Sequence, residues 1–229
     1  MKIANEFSRF AHEYGHYNEI QKRVAQKLLE DVKTKPQNIL DLGCGEGSVV
    51  SRINWEYKKF LGIDFSQKML DLHPQGEKIE CRLGDFNEDK LFEELVKEQY
   101  DHVFSASSLQ WATDLDTTLY QISQFNAPIS LAIFTSNTFD TLLKTAGITS
   151  PLRGADELIY LINQYFHCEI ELVQYELSFD SIEEIFKYIK KSGVSGARNA
   201  LSYKEVKALM KNYPSKSLEF EVLFAKSYS

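Results

Sequence analysis

Asn38-Ile39-Leu40-Asp41-Leu42-Gly43-Cys44-Gly45-Glu46-Gly47 is the stretch whose reading decides the fold. A short apolar run that stops at three closely spaced glycines reads as a buried strand entering a tight turn. A helix is expected to follow the glycines, through residue 53. Outward from this point the pattern repeats. Residues 60–63 form a second short apolar run and end at Asp64, and Ser66 is placed to start a helix reaching residue 72. Residues 78–83 predict a third strand ending at Gly84-Asp85, and residues 92–97 a helical piece. Strands are expected over 100–105 and 129–134, with helices over 115–125 and 140–146. Upstream, Ile20, Val24, Leu28 and Val32 stand at helical spacing and predict an amphipathic helix over 19–32. Downstream come helices over 155–165, 181–192 and 203–212, and strands over 169–177 and 218–225. Strands alternating with helices imply an α/β domain with a doubly wound, mostly parallel sheet. The last two strands, lacking a crossover of the same kind, are expected to close one edge as a pair with one antiparallel member.

The 229 residues suit one such domain, and 43% hydrophobic composition supplies a sizeable core. We therefore expect a single domain over 1–229, with a helical lid segment at 1–36. No apolar run approaches the ~20 residues that cross a bilayer, and the first residues lack a signal-peptide pattern, so a cytoplasmic protein with no membrane partner is expected. Cys44, Cys81 and Cys168 are scattered, with no CxxC pair, and the histidines include no HExxH, so no metal site is expected. His12 and His16 are read as surface residues. The net charge of −7 disfavours a nucleic-acid enzyme. The charge is uneven, however: Lys187, Lys190, Lys191, Arg198, Lys204, Lys207, Lys211 and Lys216 outnumber Glu183, Glu184 and Glu205 in one C-terminal stretch. That stretch is either a set of solvated helix faces or a docking surface for an acidic partner.

Open α/β sheets bind ligands at the carboxyl ends of their strands. Gly43 permits the tight turn there, and Gly45 lets a ligand approach the backbone. Asp64, about 20 residues on at the end of the next strand, is where an acid receives ribose hydroxyls. A dinucleotide site wants its third glycine at Ser48, whereas this chain has it at Gly47, which disfavours an NAD-type oxidoreductase. Asp41 and Glu46 also disfavour a pyrophosphate, yet suit a ligand with an ammonium and a sulfonium group. S-adenosylmethionine carries both, and its carboxylate is expected at the N-terminus of the helix after the turn. Asp85 and the Phe86 N–H are placed for adenine, with Phe65 packed on its face. Asp85 has a second reading, as a cap for the segment that follows.

The motifs Asp41-Leu42-Gly43-Cys44-Gly45-Glu46-Gly47, Gly62-Ile63-Asp64-Phe65-Ser66, Gly84-Asp85 and Tyr100-Asp101-His102-Val103-Phe104-Ser105 resemble those of the class I methyltransferases. The resemblance implies a seven-stranded sheet with one antiparallel strand and S-adenosylmethionine as cofactor. It places Asp41, Gly43, Cys44, Gly45, Asp64, Phe65, Asp85, Phe86 and Ser105 at the cofactor. A narrower likeness runs along nearly the whole chain. Phe7-Ser8-Arg9-Phe10-Ala11-His12-Glu13-Tyr14 with Gln21, Phe104 through Trp111, and the later Gly193, Arg198, Leu201-Ser202 and Tyr213-Pro214 are similar to the malonyl-acyl-carrier-protein O-methyltransferases of biotin synthesis. One departure is Asn126-Ala127-Pro128-Ile129, where that family has Pro and Gly before the fifth strand.

That likeness implies methyl transfer to the free carboxylate of a malonyl thioester on an acyl carrier protein. A carboxylate is ionised at pH 7, so positioning rather than a strong base is required. Tyr14 is the expected catalytic residue, orienting the carboxylate or covering the sulfonium. Gln110 and Trp111 are expected to wall the acceptor pocket. Arg198, with Arg153 and Arg9 as further candidates, would hold the anion. A monomer is expected. The alternatives are a methyltransferase for another small carboxylic acid or metabolite, and a non-catalytic S-adenosylmethionine-binding regulatory protein.

Overall fold

The structure, a computed structural model, describes residues 18–30, 32–191 and 202–228. Tyr14, Arg9, Arg198, His12 and His16 lie outside the described residues, as does half of the expected lid segment.

Seven strands form one sheet: β1 (Asn38–Leu42), β2 (Lys59–Asp64), β3 (Ile79–Leu83), β4 (His102–Ala106), β5 (Ile129–Phe134), β6 (Cys168–Ser178) and β7 (Ser217–Ser227). Their order is β3-β2-β1-β4-β5-β7-β6. Strands β1 to β5 pair in parallel, and β7 runs antiparallel to both β5 and β6. The expected edge pair is therefore present. Chain order reverses between β1 and β4, and their carboxyl ends open the crevice that such sheets use for ligands.

The helices are α1 (Glu19–Glu30), α2 (Gln67–Leu70), α3 (Asp89–Leu95), α4 (Leu115–Ser123), α5 (Asp140–Ala146), α6 (Ala155–Tyr165), α7 (Ile182–Lys191) and α8 (Tyr203–Asn212). Two apolar clusters sandwich the sheet. One joins Ile20, Val24 and Leu28 of α1 to Leu142, Ile185 and Leu209 of α5, α7 and α8. The other joins Phe92, Leu119 and Ile162 of α3, α4 and α6 to the opposite sheet face. Ile20, Val24 and Leu28 are fully buried, each contributing about 1.5–3 kcal/mol of apolar transfer, so the helix period read in the sequence is what docks α1. Among the described residues no helix is long and apolar enough to cross a membrane.

One expectation fails. The helix anticipated after the glycines is only a 3₁₀ turn, Val50–Arg52. Gly43, Gly45 and Gly47 all have positive φ, 76°, 55° and 86°. No right-handed helix can start before Ser48 under that constraint, and the chain then turns toward β2 after a single turn of i→i+3 bonds. The expected seat for a ligand carboxylate at a helix N-terminus is therefore absent there.

Candidate active site

The glycine turn is fastened to the end of β2: the N–H groups of Gly43 and Cys44 both donate to the Ile63 carbonyl, at 2.8 and 3.0 Å. A Cβ at Gly43 would stand 2.3 Å from Ser108 Cβ, so glycine is required there both for its φ and for the approach of the β4 loop. The Gly45 N–H donates to Asp64 Oδ2 at 3.0 Å, and the Ser66 N–H to Asp64 Oδ1 at 2.8 Å. Asp64 thereby holds the turn and the start of α2 in one place.

Above the turn lies a cleft of about 680 Å³, counting the solvent at its mouth. Of the residues expected at the cofactor, Asp41, Gly43, Cys44 and Gly45 line it from β1 and the turn. Asp64, Phe65 and Phe86 line it from the ends of β2 and β3, and Trp111 stands on the β4 side.

Three expected residues do not line it. Ser105 is wholly buried; its hydroxyl and that of Ser108 each lie 2.8 Å from the Leu42 carbonyl and 2.6 Å from one another. It braces β4 against β1 beneath the turn. Gln110 is buried too, and its Nε2 donates to the Ser107 carbonyl at 2.7 Å. It fixes the bend of the loop rather than forming pocket wall. Asp85 turns to Asn87, accepting from its N–H at 2.9 Å and its side-chain amide at 2.8 Å. That is the capping alternative, and Asp85 stands beside the cleft.

Arg153 is committed elsewhere. Its guanidinium donates to the carbonyls of Ala112 (3.1 Å) and Thr113 (3.4 Å) and pairs with Glu157 at 3.5 Å. It braces the loop after Trp111.

Several lining residues had no site role in the sequence reading: Gln21, Met69, Ala106, Ser107 and Ser108. The last three directly follow β4, and the adjacency of β4 to β1 was the signal that could have found them. Ser107 holds φ 62°, and its hydroxyl is buried with no partner among the described residues. A strained, unpaired side chain at a cleft is a common companion of function.

The electrostatics center on Asp41. It is wholly buried on β1, and neither carboxylate oxygen has a hydrogen-bond partner among the described residues. Burial first, and the neighbouring Asp64 second, push its carboxyl up to about 8. Burial also lifts Asp64 to about 6, against the lowering effect of its two N–H donors. Glu46 is raised by burial despite Lys22, Asn18 and Arg52. A pocket holding unpaired acidic acceptors disfavours an anion and calls for a donor-bearing cation. The residues therefore fit an adenosyl ligand carrying an ammonium group.

Comparison with known proteins gives the same answer. Residues 40–128 match the family described as a methyltransferase domain. A putative methyltransferase from Bacillus halodurans superposes over 90% of this chain and 99% of its own with a TM-score of 0.62, at 13% identity. The possible histamine N-methyltransferase of Thermotoga maritima superposes over 99% of this chain and all of its own, with a TM-score of 0.58 at 11% identity. Residues 40–128 thus match a methyltransferase domain, the fold is that of the class I methyltransferases, and S-adenosylmethionine is the cofactor these likenesses imply. By sequence it is similar to the malonyl-acyl-carrier-protein O-methyltransferase 1 of Ilyobacter polytropus, 27% identical across 94% of this chain and 87% of that protein. It is similar, too, to the malonyl-acyl-carrier-protein O-methyltransferase of Halalkalibacterium halodurans, 24% identical across 86% and 83%.

Proposed function

We propose that this protein methylates the free carboxylate of a malonyl group carried on an acyl carrier protein, a step of biotin synthesis in the cytoplasm. The observation that carries the cofactor half of this reading is the carboxylate of Asp41, which has no donor among the described residues and lines the cleft above the glycine turn. The likeness to malonyl-acyl-carrier-protein O-methyltransferases over most of the chain supports the acceptor half.

In this reading Asp41 takes the ammonium of S-adenosylmethionine. Asp64 takes the ribose hydroxyls: its oxygens each hold one N–H donor, and a carboxylate has about four acceptor sites in all. Phe65, Met69 and Phe86 enclose the adenine, and Cys44 packs behind the turn. When bound, the cofactor supplies a methyl group already activated by its sulfonium. The chain's own residues then have to bring a carboxylate into line, which is a matter of proximity and orientation, worth up to about 7–11 kcal/mol of barrier. Trp111 and Ser107 wall the acceptor side. Tyr14 is the proposed orienting residue and Arg198 the proposed anion holder, on the family likeness alone; both lie outside the described residues.

The test is methyl transfer from labelled S-adenosylmethionine to malonyl-acyl carrier protein, malonyl-coenzyme A and free dicarboxylic acids, with the ester identified by mass. The malonyl-carrier ester should form with the highest kcat/KM. Preference for a free acid would replace this acceptor with a small metabolite. Cofactor binding without turnover of any carboxylate would leave a regulatory protein.

A further inference from the structure

Helix α1 lies outside the matched residues 40–128, yet it reaches the cleft. Gln21 stands on its buried face beside Ile20, Val24 and Ala25, is only 7% exposed, and lines the cleft. Its amide oxygen has no donor among the described residues. Across the same cleft both oxygens of Asp41 lack donors too. Three buried acceptor atoms from two separate elements thus border one cavity. A folded core pairs nearly all such atoms, so a group of them unpaired beside a cavity marks a place for a ligand's donors. An ammonium has three N–H donors and no acceptor, which matches the count and the sign.

The position of Gln21 is enforced. One turn before it, the fully buried Asn18 donates its side-chain amide to the carboxylate of Glu46 in the glycine turn, and Lys22 lends that carboxylate its charge. The start of α1 and the turn are therefore tied together.

We infer that Gln21 is a cofactor-binding residue whose amide oxygen, with the carboxylate of Asp41, accepts the ammonium of S-adenosylmethionine, so that the first helix forms part of the cofactor site. This rests on the cofactor reading above.

Calorimetry with S-adenosylhomocysteine and with 5′-methylthioadenosine, which lacks the ammonium and the carboxylate, tests it on the full chain. Gln21→Met keeps the length and packing of the side chain but removes the acceptor. It should weaken S-adenosylhomocysteine about tenfold, the loss expected of one charge-assisted hydrogen bond. Methylthioadenosine should bind as to the unchanged protein. Gln21→Glu, which retains an acceptor, should bind S-adenosylhomocysteine more tightly than Gln21→Met does. The melting temperature of ligand-free Gln21→Met should not fall, because the change removes an unpaired buried oxygen. Equal weakening of both ligands, no weakening of either, or a lowered ligand-free melting temperature would overturn the inference while leaving the cofactor reading intact. Failure of the unchanged protein to bind either nucleoside would overturn both.

Discussion

Asp41 shows how much chemistry a single buried carboxyl carries when it has no hydrogen-bond partner among the described residues. Its folded pKa near 8 stands far above the ~3.9 of an unfolded aspartate. Between about pH 4 and 8 the folded chain therefore binds more protons at this residue than the unfolded chain does, and the stability it contributes at low pH is lost as pH rises through that window. Cys44 and Cys81 lie close by, but burial raises both thiols, so neither supplies charge near neutrality. Asp64, lifted only to about 6, is largely ionised at pH 7. A cationic ligand reverses the balance at Asp41 and expels its proton. We expect about one proton released per S-adenosylhomocysteine bound at pH 7, read as the dependence of calorimetric heat on buffer ionisation enthalpy, and close to none for Asp41→Asn. Heats independent of buffer in the unchanged protein would place the charge elsewhere. Asp41 and Asp64 were legible in the sequence because Asp41 stands two residues before the glycine turn and Asp64 closes the apolar run 60–63. Gln21 entered the sequence reading only within the family likeness and without a site role, because its contact with the cleft depends on how a helix twenty residues upstream docks. Asp85 left two readings open in the sequence, and its Oδ1 takes the N–H and side-chain amide of Asn87 as the capping reading has it.

At the scale of elements, the strands were legible because parallel strands buried on both faces read as continuous apolar runs. Strands β1 and β5 and helices α5, α6 and α8 have the bounds expected, and most other ends shift by one to three residues. The missing helix after the glycines was illegible because a glycine's φ is not written in its identity; three positive values in five residues consume the space a helix would need. The same crowding makes β2 answerable for the turn. A Cβ at Gly62 would meet Cys44 Sγ at 2.8 Å and Cys44 Cβ at 3.2 Å, and relief requires moving Cys44, which belongs to the cleft wall. Gly62→Ala should cost about 1–3 kcal/mol in denaturant unfolding, as overpacking does, and should weaken S-adenosylhomocysteine binding. Cys44→Ala removes the nearer atom, so in the double variant the Gly62→Ala penalty should shrink. Strict additivity in that cycle would show that the two residues do not compete for space.

For the molecule as a whole, the question is how a chain of net charge −7 would receive an acidic carrier protein. A uniformly negative surface would repel it. Lys187 of α7 and Lys204, Lys207 and Lys211 of α8 are exposed, however, and these helices pack into the same apolar cluster as α1, whose Gln21 borders the cleft. On α8 the exposed Lys204, Lys207 and Lys211 outnumber Glu205, and α8 shares its apolar cluster with α1. Attraction between such a patch and an acidic partner acts chiefly on encounter and weakens as salt shortens its range. The variant Lys187→Glu/Lys204→Glu/Lys207→Glu should therefore raise KM for malonyl-acyl carrier protein about tenfold at low ionic strength, corresponding to about 1.4 kcal/mol, with kcat little changed. The deficit should narrow as salt is added, and malonyl-coenzyme A, which carries the same reacting group without the protein, should be methylated as before. These side chains point to solvent, and substitutions of that kind rarely shift stability by more than about 0.5 kcal/mol, so a loss confined to the carrier-bound substrate would reflect docking. An equal loss on both substrates, or one indifferent to salt, would place carrier recognition on another face of the enzyme.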